Sequence, residues 1–117
     1  MSIIIYLIMV LSSLTQTIEY KVCSYDWDCP TALRVFDCES WLGKHPDAYQ
    51  LEPDSGVAQL NRYTWEDWFW VNYGWTWEQI TYDDDINLAA AYIVYQEAVR
   101  VYGNGWLPWT CYSSFYN

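Results

Sequence analysis

Residues 3–11 form an unbroken apolar run, IIIYLIMVL, followed by small polar side chains as far as Thr17. A helix that crosses a bilayer needs about 20 apolar residues, so the run reads as the core of a secretory signal cleaved near Thr17. No Lys or Arg precedes it, and the competing reading is a retained segment, residues 1–17, packed on a virion or other protein partner. Residues 18–117 are then a single domain. From Pro30 to Trp41, Leu33, Val35 and Phe36 recur at helical spacing behind a proline suited to a first turn, which predicts a helix with Glu39 near its C-terminal end. Gly43, Pro46, Pro53 and Gly56 mark a loop or small irregular hairpin, and residues 44–60 are the only stretch suited to strands. Thr64 with Asp67, and Thr76 with Gln79, have the spacing of capping boxes and predict two short helices. Asp84 or Asp85 then caps the longest pattern, in which Ile86, Ala90, Ile93, Val94 and Ala98 share a face until Gly103 stops it. The expected fold is mainly α, a helical bundle around that central helix with a small β or irregular lobe at its side.

Charge and composition narrow the function. Five Lys and Arg stand against 15 Asp and Glu, a formal net charge of -10. A nucleic-acid partner needs a basic face, and adsorption to anionic lipid or wall polymer needs the same, so both are disfavoured. Aromatic residues make up 21% of the chain, with 9 Trp and 12 Tyr, which excludes a disordered acidic tail. With His45 the only histidine, imidazole triads and multi-histidine metal sites lack material, and neither a metal nor a cofactor is expected. The even cysteine count, Cys23, Cys29, Cys38 and Cys111, favours disulfides in an exported chain, with three connectivities open. Cys23 and Cys29 are close enough to close a local loop, leaving Cys38 for Cys111. A zinc site is disfavoured by the lack of any Cys-x-x-Cys pair.

Carboxylates are the remaining chemical candidates. Glu39, near the end of an apolar helix with Val35 and Phe36 one turn back, has the setting for a raised pKa and a proton to donate. Asp54, on a wetter loop, could stay ionised, the division of labour that glycosidic bond cleavage requires. Pattern alone does not select this pair, since most acids are solvated or cap helices. For Trp65, Trp75, Trp77 and Trp109, core and rim packing is the default, although exposed indoles also stack on sugars.

Ordered motifs do select the pair. Cys38-Glu39-Ser40, Asp54-Ser55-Gly56-Val57-Ala58-Gln59-Leu60-Asn61, Trp65, Asp85-Ile86-Asn87-Leu88-Ala89-Ala90-Ala91 and Gly105-Trp106-Leu107-Pro108-Trp109-Thr110-Cys111 resemble the lysozyme-like superfamily over about residues 30–112. The chain mixes features of animal-type lysozymes with those of phage and actinobacterial transglycosylase-like domains. The resemblance implies an α+β lysozyme-like fold with Glu39 as general acid and Asp54 as second carboxylate. It also implies a sugar cleft lined by Gln59, Asn61, Trp65 and Ser55, with Trp106 as the indole walling the acid. Ser55 stands where the family has tyrosine, Ala58 replaces a large residue, and Trp41-Leu42-Gly43 replaces a Gly-rich turn.

Three functions compete on these residues. The leading expectation is a peptidoglycan-cleaving muramidase or lytic transglycosylase, exported or virion-associated and of phage origin. The second is an inactive lysozyme-like structural or glycan-binding protein, since fold does not imply function. The third is a small disulfide-rich secreted interaction protein without a glycan site.

Overall fold

The computed structural model describes residues 2–5, 7 and 16–116. The expectations for residues 1–17 fall largely outside them. The chain is mainly helical, with a single two-stranded hairpin among the described residues. In chain order the elements are α1 (Ile18–Val22), α2 (Cys29–Ser40), β1 (Asp54–Ser55), β2 (Leu60–Asn61), α3 (Arg62–Tyr73), α4 (Trp77–Tyr82), α5 (Asp84–Tyr102) and α6 (Thr110–Tyr116).

Helix α2 opens on Asp28, whose carboxylate accepts from the Thr31 N–H at 3.1 Å, with Pro30 in the first turn. Ala32, Val35, Phe36 and Ser40 form its buried stripe, the spacing of one helical face. It ends in an uncommon way, because Trp41 and Leu42 both have φ of 54° and Gly43 follows at 86°. A left-handed backbone costs a residue with a side chain roughly 1–2 kcal/mol, so this turn, two residues beyond Glu39, is held against its preference. The Leu42 N–H donating to the Phe36 carbonyl at 3.2 Å and the Gly43 N–H donating to Ser40 Oγ at 3.0 Å hold it.

Two helix starts differ from the sequence reading. Helix α3 is capped by Asn61, not Thr64; Asn61 Oδ1 accepts from the Thr64 N–H at 3.0 Å and from its hydroxyl at 2.9 Å. Thr64 is thus a donor in the first turn, and its pairing with Asp67 does not form a capping box. Helix α5 is capped by Asp83, whose Oδ1 accepts from the N–H groups of Asp85 and Ile86. Asp84 accepts instead from the Tyr49 hydroxyl at 2.8 Å, and Asp85 pairs with Lys21 at 3.0 Å. The Thr76–Gln79 capping box and the Gly103 stop at φ 72° are present as read.

The core is an aromatic cluster between α2, α5 and the segment before α6. Trp27 meets Trp106 at 5.3 Å between ring centroids, Phe36 meets Trp109 at 5.7 Å, and the two later indoles lie 5.5 Å apart. Cys23 is bonded to Cys29, and Cys38 to Cys111 with Cα atoms 6.1 Å apart, joining α2 to α6. No described helix is long and apolar enough to cross a membrane.

Candidate active site

The hairpin is short: Asp54 pairs with Asn61 and Ser55 with Leu60, leaving residues 56–59 as its turn. Two-residue strands have little stability of their own, and this turn is fixed from three sides. Ser40, one residue past Glu39, donates its hydroxyl to the Val57 carbonyl at 2.5 Å. Asn87, fully buried on α5, accepts from the Ala58 N–H at 2.9 Å and donates to the carbonyls of Ser55 at 3.1 Å and Ile80 at 2.9 Å. Trp109 donates its indole N–H to the Ala58 carbonyl at 2.8 Å. Gly56, at φ 80°, lies so close to Asn87 that an added Cβ would fall 2.1 Å from its side-chain nitrogen, so both the backbone angle and the space demand glycine.

This anchoring places Asp54 and Glu39 on a common cleft of about 600 Å³. Glu39 and Trp109 line it from the α2 side, Asp54, Gln59 and Asn61 from the hairpin, and Trp65 from the first turns of α3. Val94, Glu97 and Ala98 of α5 and Leu107, Pro108 and Thr110 are among its other lining residues. No Lys, Arg or His lines the cleft among the described residues, while three carboxylates do.

The two central carboxylates have different surroundings. Glu39 is half-buried, and burial raises the pKa of its carboxyl. The Cys111 N–H, donating to Glu39 Oε1 at 3.2 Å, opposes that shift, and the charge of Asp54 reinforces it. Asp54 accepts from the Asn61 side-chain amide at 3.2 Å. Because Asn61 Oδ1 is occupied as the α3 cap, its amide is turned with the NH₂ toward the acceptor oxygens of Asp54. Glu39 therefore has the environment of a proton donor, and Asp54 is a second, hydrogen-bonded carboxyl group on the same cleft.

Gln59, Asn61 and Trp65 share the cleft with the two acids, but two residues assigned to it do not. Trp106 is only 6% exposed and packs against Trp27, Phe36 and Tyr95 in the core. Gly105 lets it settle there, because a side chain at that position would collide with the Tyr95 ring. The indole on the cleft wall beside the acid is Trp109, drawn there by its bond to Ala58. Ser55 is fully buried and accepts from the Trp77 indole N–H at 3.0 Å, so its role is to seat the hairpin on α4. Gln59 has φ 51° and donates its amide to the carbonyls of Ala48 and Gly56, both at 3.0 Å; its NH₂ group clasps the turn. Ser40, Asn87 and Trp109 all stand within the motifs quoted above, yet their roles depend on contacts 17 to 51 residues away.

No group of three or more potential metal ligands is gathered among the described residues. No protein-family model, curated protein or solved structure matches the chain.

Proposed function

We propose that this protein is a lysozyme-like glycosidase that cleaves peptidoglycan between N-acetylmuramic acid and N-acetylglucosamine, as a muramidase or a lytic transglycosylase. The observation that carries this reading is the half-buried Glu39 carboxyl, with its raised pKa, lining one cleft with Asp54. Glu39 donates its proton to the glycosidic oxygen as the bond to the anomeric carbon breaks, and positive charge develops on the sugar ring. Asp54, held by Asn61, stabilises that charge or bonds to the anomeric carbon. In the hydrolytic route Glu39, now a carboxylate, takes a proton from the water that completes the reaction. In the transglycosylase route the muramyl 6-hydroxyl attacks, gives its proton to Glu39 and leaves an anhydro sugar. Two disulfides suit export or release in an oxidising compartment, including association with a phage virion.

A second reading has its own support: among the described residues three carboxylates and no cation line the cleft, a poor match for stem peptides bearing carboxylates. On that reading the protein binds glycan without cleaving it. Purified peptidoglycan treated with wild type, Glu39→Gln and Asp54→Asn, with released sugars identified by mass, separates the cases. The expected result is release by wild type and a loss of about 10²- to 10⁴-fold in Glu39→Gln. A comparable loss in Asp54→Asn with reducing-end products identifies hydrolysis, and little loss with anhydro products identifies transglycosylation. Full activity in Glu39→Gln overturns the assignment, and binding without release by wild type establishes the inactive reading.

A further inference from the structure

Helix α3 buries one side chain, Phe69, and leaves most of its other rings at the surface. Three of those rings, with Trp75 from the link to α4, surround Phe69: Trp65, Trp68, Tyr73 and Trp75 have centroids 5.9, 5.1, 6.0 and 5.8 Å from it. Three of them also touch in succession, with Trp65 5.8 Å from Trp68 and edge-to-face at 86°, and Trp68 5.9 Å from Tyr73 and tilted at 45°. One end of that succession is the cleft, which Trp65 lines. Away from it, Trp68 is 39% and Tyr73 48% exposed.

We propose that Trp68 and Tyr73 extend the cleft as a sugar-stacking track that binds the same glycan strand beyond the reacting sugars; this rests on the glycan reading above. From residue 65 to residue 73 a helix rises about 12 Å, the length of roughly two pyranose rings. Flat indole and phenol faces match the C–H faces of pyranoses. Rings already fixed on a buried Phe lose little freedom when a ligand arrives. The flanking charge points to the same occupant. Glu66 and Asp67 lie along this helix and its one cation, Arg62, is paired with Glu66 at 3.0 Å, so anionic peptides, lipids and nucleic acids are repelled and an uncharged sugar surface is not. Continuity with the cleft makes the occupant the strand already seated there.

The test measures binding of N-acetylglucosamine tetramers and octamers to Glu39→Gln protein, alone and combined with Trp68→Ala, Tyr73→Ala or Trp65→Ala. Loss of Trp68 or Tyr73 is expected to weaken the octamer about tenfold and leave the tetramer unchanged, whereas loss of Trp65 weakens both. Where Trp68→Ala fails to fold, Tyr73→Ala, on a ring in the last turn of the helix, gives the same comparison. Equal effects on the two lengths, or none on either, overturn the track while leaving the cleft assignment in place. If Glu39→Gln binds neither oligomer, the glycan reading and the track fail together.

Discussion

Burial raises the pKa of Glu39 because the cleft wall solvates its carboxylate less well than water, and the nearby charge of Asp54 adds to the effect. Stability inherits a pH dependence from that shift, and on the glycosidase reading proposed above turnover does too. A general acid must be protonated, so on that reading turnover is expected to fall as pH rises through the raised pKa of Glu39. For stability, an unfolded Glu titrates near about 4.3, below the folded value, so between the two the folded state binds more protons. Stability is therefore fully retained below the unfolded value and declines as pH rises through the folded one. Replacing Glu39 with Gln removes this penalty. Thermal unfolding should show the two proteins close at about pH 3 and Glu39→Gln the more stable at neutral pH. A variant less stable than wild type throughout would mean that the Cys111 contact outweighs desolvation.

At the scale of elements, the hairpin turn depends on Asn87. Truncation to Ala leaves two buried carbonyls and one buried N–H without their side-chain partner, and each such group costs about 1–3 kcal/mol. Urea denaturation is expected to show a loss of several kcal/mol for Asn87→Ala, together with loss of the turnover proposed above. Gly56→Ala should also destabilise, through its φ and through its collision with Asn87. Combining the two should cost less than their sum, since the truncated side chain no longer collides. The helices were legible in the sequence because caps, first-turn prolines and apolar spacing act within a few residues, as at Pro30, Thr76 and Gly103. Asn61 lies in the cleft as the sequence suggests, but its second role as the α3 cap was not legible, because Thr64 offers the same local signal three residues on. The exchange of roles between Trp106 and Trp109 was not legible at all. Both indoles sit in one Trp-x-x-Trp motif, and only the Ala58 carbonyl, 51 residues earlier in the chain, decides which one reaches the cleft.

Across the whole molecule, the Cys38–Cys111 bridge spans 73 residues and joins the helix carrying Glu39 to the residue whose N–H contacts it. By loop entropy such a bridge stabilises by about 4 to 5 kcal/mol. Reduction should lower the melting temperature and, in molecules that remain folded, alter the pH at which Glu39 titrates, an outcome that carboxyl-resolved NMR would detect. The triple anchoring of the hairpin also bears on the order in which the chain folds. Its three clamps come from Ser40, Asn87 and Trp109, 17, 29 and 51 residues away in sequence, so they are expected to close only after the helices have packed. Contacts formed after the folding barrier leave the folding rate alone and change the unfolding rate. In stopped-flow measurements Asn87→Ala should therefore unfold much faster than wild type while refolding at a similar rate. The cleft would then be the last part of the molecule to form and the first to open, so that loss of the cleft, and of whatever it binds, precedes loss of helix as the protein is denatured.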